Sequence, residues 1–174
     1  FPTASYAVSK TILIPRLYDP SFKKNYNLTI NGNNSNFVMI NDVTLFESGY
    51  YDNGVLKSNL GTPLVTYNTF GVVLENFYIT SKNGAWLLSP ALKIQDWHQG
   101  CKLQRISSSV NATLLYSFGN FYCQFYMMSG SSSAGKTGER FIFESSHNLC
   151  KFDTLVAVDS AIGYWFKGEL TACQ

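Results

Sequence analysis

The chain has 174 residues, 45% of them hydrophobic, which suffices for one sizeable core and not for two. Only 14% are charged, against about 25% in an average domain, and the net charge is +2 with a single adjacent basic pair, Lys23-Lys24. That balance argues against a phosphate-neutralising nucleic-acid surface, and no apolar run reaches the ~18 residues of a membrane-spanning helix.

In chain order the apolar pattern alternates with the period of a strand almost throughout. Tyr6 to Ile14 reads as the first strand and stops at Pro15. Tyr26 to Ile30 and Phe37 to Ile40 flank Asn31-Gly32, a favoured hairpin turn. Leu64 to Tyr67, Val72 to Thr80 and Trp86 to Leu88 follow, with Lys82-Asn83-Gly84 as another turn. A short helix is expected over Leu92 to His98, after Pro90. Leu103 to Ile106, Ala112 to Phe118, Phe121 to Met128, Arg140 to Glu144, Thr154 to Val158 and Tyr164 to Leu170 complete the series. Ser129 to Gly138, rich in Ser and Gly, reads as a loop. About ten to twelve short strands with Gly and Asn between them predict a single all-β domain over 1–174, an antiparallel sandwich or barrel. The alternative is a β-trefoil, although no convincing three-fold repeat is present.

The four cysteines, Cys101, Cys123, Cys150 and Cys173, lie in the last 74 residues at spacings of 22, 27 and 23. An even count without a C-x-x-C pair predicts two disulfides and an oxidising compartment, with three connectivities open. Asn27, Asn33 and Asn111 each start an N-x-[ST] triplet and are candidate glycosylation sites. The chain is therefore expected to be extracellular, secreted or exposed on a cell wall or virion surface.

Gly130 to Thr137, GSSSAGKT, matches the phosphate-cradling pattern G-x-x-x-x-G-K-[ST], and Leu155 to Asp159 resembles the strand-plus-Asp that positions Mg²⁺. Context argues against nucleotide binding: a phosphate loop must open a helix, whereas Gly138 and then Glu139 to Phe143 follow, and only 37 residues remain after Thr137. His98 and His147, the only histidines, fit no metal-ligand spacing, and no G-x-S-x-G elbow is present. No metal or cofactor is expected. A secreted hydrolase would have to draw on Glu47, Asp52, Glu75 or Asp96.

Aromatic residues make up 16% of the chain. Such side chains bury much area while freezing few rotors, which suits glycan stacking and protein hot spots. Trp97, in the polar setting Asp96-Trp97-His98-Gln99, is expected to be an exposed platform, with Tyr50, Tyr51 and Trp165 as further ligand contacts. The expected function is non-enzymatic attachment to a cell-surface glycan or protein receptor. A structural coat or wall protein, a secreted toxin or a secreted hydrolase are the alternatives.

Overall fold

The computed structural model describes residues 1–15, 18–19, 24–25, 27–52, 55–58, 69–84, 87–131 and 139–174. Its main strands form two stacks. The first sheet contains β1 (Ser5–Val8), β5 (Leu28–Met39), β8 (Val72–Ser81), β10 (Lys102–Ser108), β12 (Gln124–Gly130) and β15 (Lys151–Ala157), in that order. The second contains β2 (Ile12–Pro15), β6 (Phe46–Asp52), β9 (Leu92–Gln95), β11 (Leu115–Phe118), β13 (Glu139–Glu144) and β16 (Ile162–Phe166), also in order. Every neighbouring pair along both stacks is parallel. A third, short wall pairs β14 (His147–Asn148) with β17 (Leu170–Thr171), also parallel. Among the described residues, antiparallel pairing is confined to two excursions: β3 (Tyr18–Asp19) with β4 (Lys24–Asn25), and β7 (Val55–Ser58) with β6.

The chain thus alternates between the two sheets and rises by one strand at each return, so it winds as a β-solenoid. This overturns the expected antiparallel sandwich or barrel, and the trefoil with it. Parallel neighbours need a crossover of a dozen or more residues. Here the other sheet is that crossover, so no helix is required. The expected helix at 92–98 is instead β9 followed by a bend at Asp96 and a bridge from Trp97 to Thr69. The expected hairpin at Asn31-Gly32 is a bulge inside β5, where the register slips between Asn31 and Ser35. Gly32 is needed there because an added Cβ would lie 2.5 Å from Phe77 Cβ.

Each coil places like positions above one another, so the core is a set of columns. Phe46, Leu92, Leu115 and Phe141 form one, and Leu74, Leu103, Phe125 and Phe152 another. Aromatic rings stack along the columns: Phe125 on Phe152 at 5.1 Å and 8°, and, in a further column, Phe143 on Phe166 at 5.0 Å and 12°. In β8, β10, β12 and β15 one residue per strand is skipped in the register and adopts a left-handed backbone: Asn76, Arg105, Met127 and Thr154, with φ of 60°, 52°, 50° and 54°. This line of bends folds the first sheet into two facets. In the last coil Ile162, Tyr164 and Phe166 continue inward columns yet are exposed, because β16 ends its stack.

Candidate functional site

The first sheet's outer face exposes Tyr78, Tyr126, Met127 and Val156. Residues opposite one another on neighbouring parallel strands lie about 4.8 Å apart, so outward side chains form rows across the coils. One row runs Asn31, Glu75, Gln104, Tyr126, Asp153, and the next Asn36, Tyr78, Ser107, Ser129, Val156. The Glu75 carboxylate accepts from Asn31 Nδ2 at 3.0 Å, Gln104 Nε2 at 2.5 Å and Arg105 at 3.1 Å, while Arg105 Nε donates to Asn76 Oδ1 at 2.6 Å. Ser129 donates to Ser107 at 2.9 Å. These bonds hold one part of the face in a fixed geometry. Beside it lies a cleft of about 290 Å³ lined by Gln104, Gln124, Tyr126, Lys151 and Asp153, with Phe125 at its floor. A second, of about 320 Å³, is lined by Tyr78, Arg105, Ser107, Met127 and Asn34, with Phe77 beneath. Tyr78 and Tyr126 are each 38% exposed. The face therefore offers amides, hydroxyls, two acids and two bases around half-exposed aromatic rings.

The second sheet's outer face carries a smaller cluster. Tyr116 Oη donates to Glu144 Oε2 at 2.6 Å, and Lys167 Nζ lies 3.8 Å from the same carboxylate. Burial, then the Glu144 charge, raise the Tyr116 phenol well above its ordinary value, so it stays a donor. Trp165 is 40% exposed, and Lys167 Nζ sits 3.8 Å over its ring, a cation–π contact that occupies one face.

The structure separates the sequence-derived candidates. Trp97 is not an exposed platform: it is 0% exposed, and its indole N–H donates to Ser48 Oγ at 3.0 Å inside the core. Its polar neighbours misled because the chain turns there and Asp96 and His98 face outward more than it does. Tyr50 and Tyr51 lie in β6 opposite Lys57 and Leu56, and their side chains fall outside the described residues. Of the carboxylates named for hydrolysis, Glu75 lies in the first sheet and Glu47 in the second, so these two do not share a face, and the side chain of Asp52 falls outside the described residues. Of the P-loop-like stretch, Gly130 ends β12 and Ser131 follows it, residues 132–138 lie outside the described residues, and the chain resumes as strand β13 where a phosphate loop needs a helix. Among the described residues no group of three or more His, Cys, Asp or Glu is placed to hold a metal ion.

Asn27 and Asn33 are exposed. Asn111 is buried, and the nitrogen that would carry a glycan donates to the Gly84 carbonyl at 2.7 Å, so that sequon is sealed. The four cysteines are unpaired thiols. The backbone N–H groups of Gln124, Lys151 and Gln174 bond to the carbonyls of Cys101, Cys123 and Cys150, which puts all four cysteines in one column. Their spacings of 22, 27 and 23 are coil lengths. Each thiol donates to backbone carbonyls: Cys101 to Thr69, Cys123 to His98 and Phe121, Cys150 to Asn120 and Asn148, and Cys173 to His147 and Thr171. The neighbouring Cys123 thiol lowers the Cys101 and Cys150 thiols, while burial, then those two neighbours, raises Cys123.

Sequence reading missed the outer face of the first sheet, since nothing in the one-dimensional pattern brings Glu75, Gln104 and Tyr126 side by side. It also missed a buried polar network. Ser117 Oγ lies 2.8 Å from His147 Nε2 and accepts from Asn120 Nδ2 at 2.7 Å, and Asn120 Oδ1 accepts from the Trp97 backbone N–H at 2.8 Å. His147 Nδ1 faces the Ser145 carbonyl at 3.4 Å, so Nδ1 carries the proton and Nε2 accepts from Ser117. Burial lowers the His147 imidazole to about 4. Ser117 and His147 are fully enclosed, so the pair acts as a core anchor and not as a nucleophile and base. No family model, no curated protein and no solved structure matches this chain.

Proposed function

We propose that this domain is a recognition module that binds an extended cell-surface glycan along the outer face of the first sheet. The observation that carries the reading is the row Glu75, Gln104, Tyr126, Asp153, pre-bonded at one end and bordering an aromatic cleft at the other. Sugar rings present apolar faces to Tyr and hydroxyls to amides and carboxylates, and both kinds of partner are present here. A solenoid repeats them at about 4.8 Å, so a linear polysaccharide crossing the coils meets like contacts in succession. The low charge of the chain fits a neutral ligand, and an extracellular setting follows from this reading.

The test is binding of the domain to an array of wall and surface polysaccharides, followed by titration of Tyr126→Ala and Tyr78→Ala against the best ligand. Each substitution is expected to weaken binding at least ~10-fold, as loss of a stacked aromatic contact does. Saturable binding that neither substitution changes overturns the assignment of this face. Binding lost only on substituting Trp165 would move the site to the second sheet.

A further inference from the structure

The cysteine column has a chemistry that glycan binding does not use. Above Cys101 the same column continues with Val72 and Leu28, so one position per coil is apolar and in the last four coils it is a thiol. Cys101, Cys123 and Cys150 are buried, and only Cys173 reaches solvent. Neighbouring members of the column are about 4.8 Å apart at Cα, inside the ~4.4–6.8 Å span of a disulfide, while members two coils apart, at roughly 9.6 Å, are beyond the limit of about 7 Å. A single file of four can pair completely in one way, first with second and third with fourth. The order of the column therefore selects one of the three connectivities.

We propose that the column is a thiol–disulfide relay: it takes oxidising equivalents from a low-molecular-weight disulfide at Cys173, passes them inward, and ends as Cys101–Cys123 and Cys150–Cys173 bridges. In the first step the Cys173 thiolate attacks the small disulfide and expels one small thiol. The Cys150 thiolate attacks the Cys173 sulfur and expels the second, closing Cys150–Cys173. The Cys123 thiolate then attacks the Cys150 sulfur and frees Cys173, and Cys101 attacks Cys123 and frees Cys150. A second small disulfide closes Cys150–Cys173 again. Four protein thiols lose four protons and four electrons in all, and two small disulfides take them up as four small thiols. Each transfer joins sulfurs whose residues are in register on neighbouring coils, so the coils need not open.

The experiment treats reduced, folded protein with oxidised glutathione, quenches by alkylation at intervals and maps the linked peptides by mass. A glutathione adduct on Cys173 and a Cys150–Cys173 bridge are expected first, followed by Cys101–Cys123. In Cys173→Ser, oxidation of Cys101 and Cys123 is expected to slow at least ~10-fold, since no accessible thiolate remains. Alkylating Cys173 in the folded wild-type chain, which leaves folding untested by mutation, is expected to give the same arrest. A Cys101–Cys150 or Cys123–Cys173 bridge, or buried thiols that oxidise as fast without Cys173 as with it, overturns the relay.

Discussion

Replacing His147 with glutamine probes the buried polar network through pH. In the folded chain the imidazole is held at about 4, against 6.5 when exposed, because burial penalises the charged ring. As pH falls below 6.5 the unfolded chain takes up a proton that the folded chain refuses, so stability is lost down to about 4, where the folded chain protonates too, and it is fully present above 6.5. The gap of about 2.5 pH units, at ~1.36 kcal/mol each, amounts to about 3 kcal/mol. Glutamine can still accept from Ser117 but does not titrate. The assay is urea unfolding of both proteins at pH 8, 6, 5 and 4, compared as a difference so that carboxylates and His98, which titrate in both, cancel. The wild type is expected to lose about 3 kcal/mol relative to His147→Gln across that range, at up to ~1.4 kcal/mol per pH unit. Parallel stability curves would refute the claim that His147 is buried as the neutral tautomer.

Met127 sits at a left-handed bend, with its side chain exposed, so Met127→Asn is expected to stabilise the chain by about 0.5–1 kcal/mol in urea titration, because Asn tolerates that backbone better. Gly168→Ala would place a methyl 2.0 Å from the Ser145 carbonyl oxygen, and is expected to cost at least about 2 kcal/mol and to raise hydrogen exchange in β14 and β17. Arg140, buried, donates through one guanidinium nitrogen to the carbonyls of Val110 and Ala112, so Arg140→Lys, which lacks the planar fork, is expected to lower stability by ~2 kcal/mol in the same assay. Closing both proposed cysteine bridges is expected to raise stability by roughly 3 kcal/mol per bridge, measured as the shift between reduced and oxidised protein.

Most strand positions were legible because alternation of apolar and polar residues reports a half-buried strand, and Val72 to Thr80 is one such segment. Strand direction was not legible. Alternation is usually a sign of antiparallel sheets, since parallel sheets are commonly covered on both faces. In a solenoid each parallel strand also has one face in the core and one in water, so both architectures write the same pattern. The clue that distinguishes them is the cysteine spacing, which is the coil period and which a disulfide framework also allows. The repeat stayed hidden because the corresponding steps from Leu28 to Val72 and from Val72 to Cys101 are 44 and 29 residues, and because a column asks only for an apolar residue.

The candidate site shows the same division. Composition alone pointed to a polar, weakly charged surface with many aromatic residues. Which aromatic rings reach that surface depended on the winding: Trp97 turned inward to Ser48, while Tyr78 and Tyr126 came out on the first sheet. Residue type and local period are properties of neighbours along the chain. The rows of the outer face, the single file of thiols and the enclosure of His147 arise between residues 22 or more positions apart, brought together by the stacking of coils.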